Sequence, residues 1–301
     1  MESPCAESVT GEFTTIGEAM SQKYKNDSLG TRMKGYEATT KHQLLSRTPV
    51  IIRIDGKAFH TFAKKITRFD PTMKNQDTPF STAMHEVMVQ TTRELVGSIQ
   101  NCVFGYTQSD EISLLLRDWD THETQQWFGG SHQKMVGVSA SVATAAFNFH
   151  AANIGFKQGT FADMAQFDSR VYNIPKEEVT NYFIWRQQDA SRNSVQMLGH
   201  HHFSQKQMHG KSNSAVQDML MLEKSVNWND IPTWMKRGTC VAPEYITAGV
   251  DENIPIFTQD REYVDRMLVT PQDRAQAQLH INIVSQNVWR RDAVEKLDGN
   301  R

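Results

Sequence analysis

From Pro49 onward the apolar positions of this chain alternate between two periods, one near two residues and one near 3.6. "PVIIRID" (49–55) is a β-branched run that reads as a strand. "FSTAMHEVMVQTTRELVGSI" (80–99) spaces Phe80, Met84, Val87, Met88, Leu95 and Ile99 as one face of a helix. "NCVFGYT" (101–107) and "EISLLLR" (111–117) are two strands joined by the short polar link "QSD", which predicts a hairpin. "KMVGVSASVATAAFNFHAANI" (134–154) is a small-residue, apolar helix suited to packing on a sheet, and "FDSRVYNI" (167–174) is a strand stopped by Pro175. Farther on, 176–203 and 212–224 read as helices and "GTCVAPEYIT" contains a strand. "GTRMKGYEATTKHQLL" (30–45) predicts an amphipathic helix leading into the core.

The resulting order is β-α-β-β-α-β, an α+β arrangement of the ferredoxin-like kind. In that topology the first and third strands are antiparallel neighbours. Asp55 at the end of the first is thereby set beside Asp110 and Glu111 at the start of the third. The pattern divides the chain into a flexible N-terminal segment (1–29), a sheet-based catalytic domain (30–175) and a mainly helical region (176–301).

Composition narrows the class. With 39% apolar and 22% charged residues and a formal charge of −2, the chain is that of an ordinary globular protein without a basic tail. Any nucleic-acid binding therefore rests on a local patch. Three widely separated cysteines fit reduced thiols in a cytoplasmic setting and have no zinc spacing. No apolar run approaches the roughly 20 residues of a membrane span, and the first residues have no signal-peptide pattern.

The stretch "VIIRIDGKAFHTF" (50–62) raises the chemical question, because a buried strand ends in a carboxylate followed by a basic and aromatic cluster. Asp-Gly alone is ordinary turn chemistry, and so is "SDE" at a hairpin tip. Two carboxylates on one sheet edge, however, suit a hard divalent cation such as magnesium. Asp55, Asp110 and the Gly56 carbonyl are the expected ligands, and two ions held there would serve phosphoryl or nucleotidyl transfer. Lys57, His60 and Lys134 would offset triphosphate charge.

"RIDGKAFHTF" (53–62), "YTQSDEISLLL" (106–116), "QKMVGVSASVATAAFN" (133–148), "FDSRVYNIP" (167–175) and "YFIWRQQDASRNSVQML" (182–198) occur in that order. Together they resemble the tRNA-His guanylyltransferase family and its Thg1-like relatives over roughly residues 30–240. The resemblance implies a palm-like fold that adds nucleotides to the 5′ end of tRNA in the 3′–5′ direction, after ATP or GTP activates a 5′-phosphate. It implies two magnesium ions, use of ATP, GTP and other nucleoside triphosphates, and a homo-oligomer, a tetramer. The implied metal ligands are Asp55, Gly56 and Asp110. The implied nucleotide-lining residues are Asp55, Gly56, Lys57, Ala58, Phe59, His60, Ser109, Asp110, Lys134 and Asn193. Glu111 holds the matching acidic position, and Ser109 and His60 join the catalytic set.

The chain also departs from the family. "DASRNS" (189–194) stands where tRNA-His-specific eukaryotic members have "DCHINN", so Ser191 replaces a histidine. "AKKITRFDPT" supplies Lys64, Lys65 or Arg68 for a basic position that none of them fills securely. "FSQKQMHGKSN" (203–213) is more like bacterial and archaeal-type relatives, which favours templated 3′–5′ addition over guanylylation of one tRNA. "HGKS" (209–212) lacks the upstream glycine of a phosphate-binding loop. His200, His201 and His202 read as a polar helix end. Trp185 and Tyr182 read as core, with Arg186 and Arg192 on another face within reach of phosphate. A nucleotide cyclase or dinucleotide synthase, and a non-catalytic RNA-binding protein, are the competing classes.

Overall fold

The computed structural model describes residues 28–67, 78–156, 159–160, 163–243 and 281–285. The chain divides into two compact units, 1–42 and 43–301. In the first, helix α1 (Ser28–Ala38) carries no buried residue, and Leu29, Met33 and Tyr36 are all exposed. The helix expected over 30–45 thus stops at Ala38 and buries none of its own residues, while Leu44 packs against the core of the second unit. The hydroxyls of Thr39 and Thr40 donate to the Tyr36 and Glu37 carbonyls and close its last turn.

The second unit is built on a six-stranded sheet. Its strands are β1 (Val50–Gly56), β2 (Cys102–Gln108), β3 (Glu111–Leu116), β4 (Phe167–Asn173), β5 (Thr239–Pro243) and β6 (Ile281–Ser285), in the order β4-β1-β3-β2-β5-β6. Every neighbouring pair is antiparallel. Strands β1 and β3 are adjacent as expected, with Asp55 opposite Glu111. Residues 176–301 add β5 and β6 to the sheet as well as supplying helices.

Those helices and the ones before them are α2 (Phe59–Thr67), α3 (Thr82–Ser98), α4 (His132–Asn153), α5 (Val179–His202), α6 (Gln205–Met208), α7 (Asn213–Lys224) and α8 (Thr233–Arg237). Ser81 starts α3 by accepting the Met84 N–H at 3.1 Å, the usual service of a serine to an orphan donor. The short helix α2, directly after the Asp-Gly pair, has no counterpart among the expected elements.

The two faces of the sheet bury different sets because strand side chains alternate. Ile52, Ile54, Ile112 and Leu114 pack with Leu95 of α3 and Met135 and Phe147 of α4. Ile51, Leu115, Phe104 and Tyr106 pack with Tyr182 and Phe183 of α5. Arg53 has the parity of Ile51, so the charged positions near the end of β1 fall on the α5 side. The far half of α5 leaves the sheet and builds a separate core with α6 and α7 from Val195, Leu198, Met208, Val216 and Leu220.

His85 of α3 lies under the sheet edge, stacked on Trp234 at 4.2 Å with its Nε2 3.3 Å from the Thr239 hydroxyl. Burial lowers its pKa from 6.5 to about 4. The unfolded chain then binds a proton that the folded one refuses, so this contribution is complete above pH 6.5 and is lost as pH falls toward 4. The loss is on the order of 3 kcal/mol. We predict that His85→Phe, which keeps the stack on Trp234, gains stability relative to the parent by about that amount between pH 7 and pH 4 in urea denaturation. A constant difference across that range would show that His85 takes up its proton at the same pH in the folded and unfolded chains.

Candidate active site at the β2–β3 turn

The end of β1 is shaped by one aromatic ring. Phe59 folds back beneath the strand, and a Cβ placed on Gly56 would lie 2.1 Å from its Cδ2. Only glycine permits that approach. The Phe59 ring is buried against Phe62, Phe147 and Phe167 at centroid distances of 4.8, 5.4 and 5.2 Å. Ala58 takes the left-handed conformation (φ 54°), and the Lys57 N–H donates to the Gln166 carbonyl at 2.8 Å. The Lys57 ammonium also donates to Gln166 Oε1 at 3.0 Å. The stretch is therefore a turn and a helix start whose backbone is pinned on both sides. Lys57, Ala58 and His60 are exposed, while the Phe59 side chain belongs to the core.

The facing wall is the β2–β3 turn. Ser109 is left-handed (φ 52°), and its hydroxyl donates to Asp110 Oδ1 at 3.1 Å. The Thr107 hydroxyl donates to the Glu111 carbonyl at 3.0 Å and fixes the strand end. Burial pushes the Asp110 carboxyl above its usual range, and the nearby Asp55 charge pushes the same way; its own backbone N–H and the Ser109 hydroxyl oppose both. Among the described residues no lysine or arginine forms an ion pair with Asp55 or Asp110, and no group of three His, Cys, Asp or Glu stands ready to hold a metal.

Glu111 has a different environment. Its carboxylate lies 2.7 Å from Arg53 Nη2 and 2.9 Å from Arg186 Nε, with all three groups largely out of water. Burial raises its pKa, and the Arg186 and Arg53 guanidiniums pull it back. Arg186, expected on a solvent-facing side of its helix, is only 3% exposed. It continues to Asp189, which also receives Arg192 at 3.2 Å. Although burial opposes it, these arginines hold the Asp189 carboxyl below its usual range. Asn193 is the next member, its amide 3.4 Å from Asp189 Oδ2. A chain of alternating charge thus runs from β1 through β3 to the middle of α5.

Asp55, Asp110 and Glu111 are brought together, and Asn193 is connected to them through this chain. Lys134 is not. It sits in the first turn of α4, whose approach is tied at Gln43–Ser131 and by the Leu44 N–H on the Gly130 carbonyl. Leu45 in turn bonds Asn173, the partner of Val50 at the opposite end of β1. Trp185, expected in the core, is 46% exposed, while Tyr182 is buried as expected. Two residues had no expected role: Arg53, whose period-two relation to Asp55 was visible, and Asp168, the β4 partner opposite Asp55. Lys64, Lys65 and Arg68 lie outside the residues whose side chains are described.

Residues 30–175 match the family model described as tRNAHis guanylyltransferase (Thg1). A bacterial tRNA(His) guanylyltransferase (Thg1)-like protein in complex with ATP superposes with a TM-score of 0.70 at 42% identity, covering 80% of this chain and 99% of that one. A bacterial Thg1-like protein in complex with GTP gives a TM-score of 0.63 at 37% identity with the same coverage. The tRNA(His) guanylyltransferase of Debaryomyces hansenii is 24% identical over 82% of this chain and 91% of its own length. With its mixed α/β architecture, its paired carboxylates and relatives covered almost end to end, the chain is a nucleotidyltransferase that belongs to the tRNAHis guanylyltransferase (Thg1) family.

Proposed function

We propose that this chain is a cytoplasmic, metal-dependent enzyme that adds nucleotides to the 5′ end of tRNA in the 3′–5′ direction, after ATP or GTP activates the 5′-phosphate. The observation that carries the reading is the convergence of Asp55 and Asp110 on one sheet edge, with no protein cation paired to either among the described residues. Like charges held together without compensation are costly, and proteins retain them where a ligand supplies the missing charge. The strand order β4-β1-β3-β2, with α3 and α4 on one face, supports the ferredoxin-like palm.

Asp55, Asp110 and the Gly56 carbonyl form a hard-oxygen donor set that fits magnesium, and two ions are the reading's expectation. Bound there, magnesium would neutralise charge on attacking and leaving oxygens. Glu111 is not among the ligands in this reading, because Arg53 and Arg186 occupy its carboxylate. Its part is to hold α5 on the sheet so that Arg192 and Asn193 flank the nucleotide. Lys57 and His60 project from the pinned β1–α2 turn and bind phosphate, with Ser109 orienting Asp110. The reading includes a homotetramer, and Lys134 is exposed at the start of α4. Within this scheme 30–175 is the catalytic part and 176–301 the part that grips RNA.

Ser191 stands where the tRNA-His-specific members have a histidine, and its hydroxyl donates to the Gln187 carbonyl within α5 at 3.1 Å. That supports templated addition over recognition of one tRNA.

Asp55→Asn and Asp110→Asn are each expected to lower nucleotide addition to a 5′-phosphorylated, end-trimmed tRNA by at least about a thousandfold. In chelator, Asp110→Asn should melt at a higher temperature than the parent, because it removes a carboxylate that burial and Asp55 both disfavour. Retention of full turnover by either variant sinks the reading. Glu111→Gln has the opposite stability signature. Uncoupling two buried guanidiniums should cost about 3 kcal/mol in urea denaturation, and an unshifted midpoint would refute its structural role.

A further inference from the structure

The aromatic residues of α5 are divided between two fates. Tyr182 and Phe183 are buried in the sheet core, whereas Trp185 is 46% exposed. A large exposed ring needs an explanation, because tryptophan gains more from burial than almost any other side chain. This ring is also held in place. The Arg186 guanidinium lies over it at 4.1 Å, and Tyr182 meets it at 5.9 Å in an edge-on arrangement. Arg186 has no freedom of its own, being buried between Glu111 and Asp189.

The ring's position relates it to the carboxylates. The Tyr182 hydroxyl is 2.8 Å from Ser113 Oγ, and Ser113 pairs with Arg53 two rungs from the pair Glu111–Asp55, on the same face of the sheet. Trp185 follows Tyr182 by one helical turn toward that rung. Tyr182 also contacts Tyr172, which places this side of α5 over the β4 flank of the sheet. Arg170 on β4 and Arg192 on α5 are both exposed cations of the same region. An apolar ring bordered by fixed and exposed guanidiniums has the composition of a surface that stacks bases and binds phosphates.

We propose that Trp185 is a stacking platform for a nucleobase beside the carboxylate pair, with Arg186 filling one ring face and the base resting on the other. The inference deepens the proposed function and rests on it for the identity of the substrates. The base comes either from the nucleoside triphosphate or from the 5′ end of the RNA. Trp185 positions that base and does not touch the reacting atoms. Because Glu111 and Asp189 lock Arg186, the platform is formed before the ligand arrives, which lowers the ordering cost of binding.

The test uses the full-length protein and three forms, parent, Trp185→Ala and Trp185→Phe, with a 5′-phosphorylated, end-trimmed tRNA and GTP. Trp185→Ala is expected to raise KM by about tenfold or more for one of the two ligands, the loss expected for one stacked base. Its kcat and melting temperature should stay close to the parent's, and Trp185→Phe should recover most of the affinity. A rise confined to GTP identifies the nucleotide as the stacked ligand, and a rise confined to the tRNA identifies the RNA end. Unchanged KM values for both ligands overturn the proposal. So does a loss that phenylalanine does not rescue and that accompanies a lower melting temperature or a changed oligomeric state. Equilibrium binding of GTP and of the tRNA to the same forms separates these outcomes without turnover. An inactive parent therefore counts against the reaction, and unchanged binding in Trp185→Ala counts against the platform.

Discussion

The ion pairs of Glu111 with Arg53 and Arg186 join the central strands of the sheet to helix α5. One carboxylate, largely removed from water, binds a guanidinium from the adjacent strand and another from helix α5. Each group would be expensive to bury alone, and their mutual contact is what makes the arrangement tolerable. The same contact sets the angle at which α5 leaves the sheet, and through Asp189 it determines where Arg192 and Asn193 stand. A residue that reads as a member of the acidic site turns out to orient its neighbours.

Two carboxylates one position apart in the chain thus have opposite electrostatic surroundings. Glu111 is compensated by two guanidiniums, whereas Asp110 has a serine hydroxyl, its own amide and the repulsion of Asp55. That contrast leaves Glu111 charge-compensated and Asp110 without a cation beside it among the described residues. Surplus negative charge at the rim is unfavourable in the isolated protein, and in the proposed function a cation-borne triphosphate would offset it. The backbone beneath it is correspondingly rigid: Phe59 closes against Gly56, and Lys57 is bonded at both its amide and its ammonium to Gln166.

The strands and long helices between residues 50 and 202 were legible because each carries a strong local period. β1 to β4, α3, α4 and α5 all appear within a few residues of their expected limits. The antiparallel contact of β1 and β3, and with it the meeting of Asp55 and Asp110, followed from element order alone. Helix α2 was not legible, since "KAFHTF" resembles a turn until Phe59 finds its aromatic pocket. The fate of α5 side chains was also hidden. Tyr182 and Trp185 share one helical face by spacing, yet Tyr182 is buried over the sheet beside Tyr172 and Trp185 is 46% exposed. Arg186 read as a surface arginine because nothing nearby in sequence shows that Glu111 awaits it.

The amino-acid order by itself determined most of the element types, the adjacency of β1 and β3 and the family, because periodicity and contiguous motifs are local properties of the chain. Only the tertiary structure decided which charges are paired, which aromatic ring meets water and that Lys134 stands apart from the carboxylates. Those outcomes depend on distances between segments far apart along the chain, and burial and Coulomb energy are functions of distance in space.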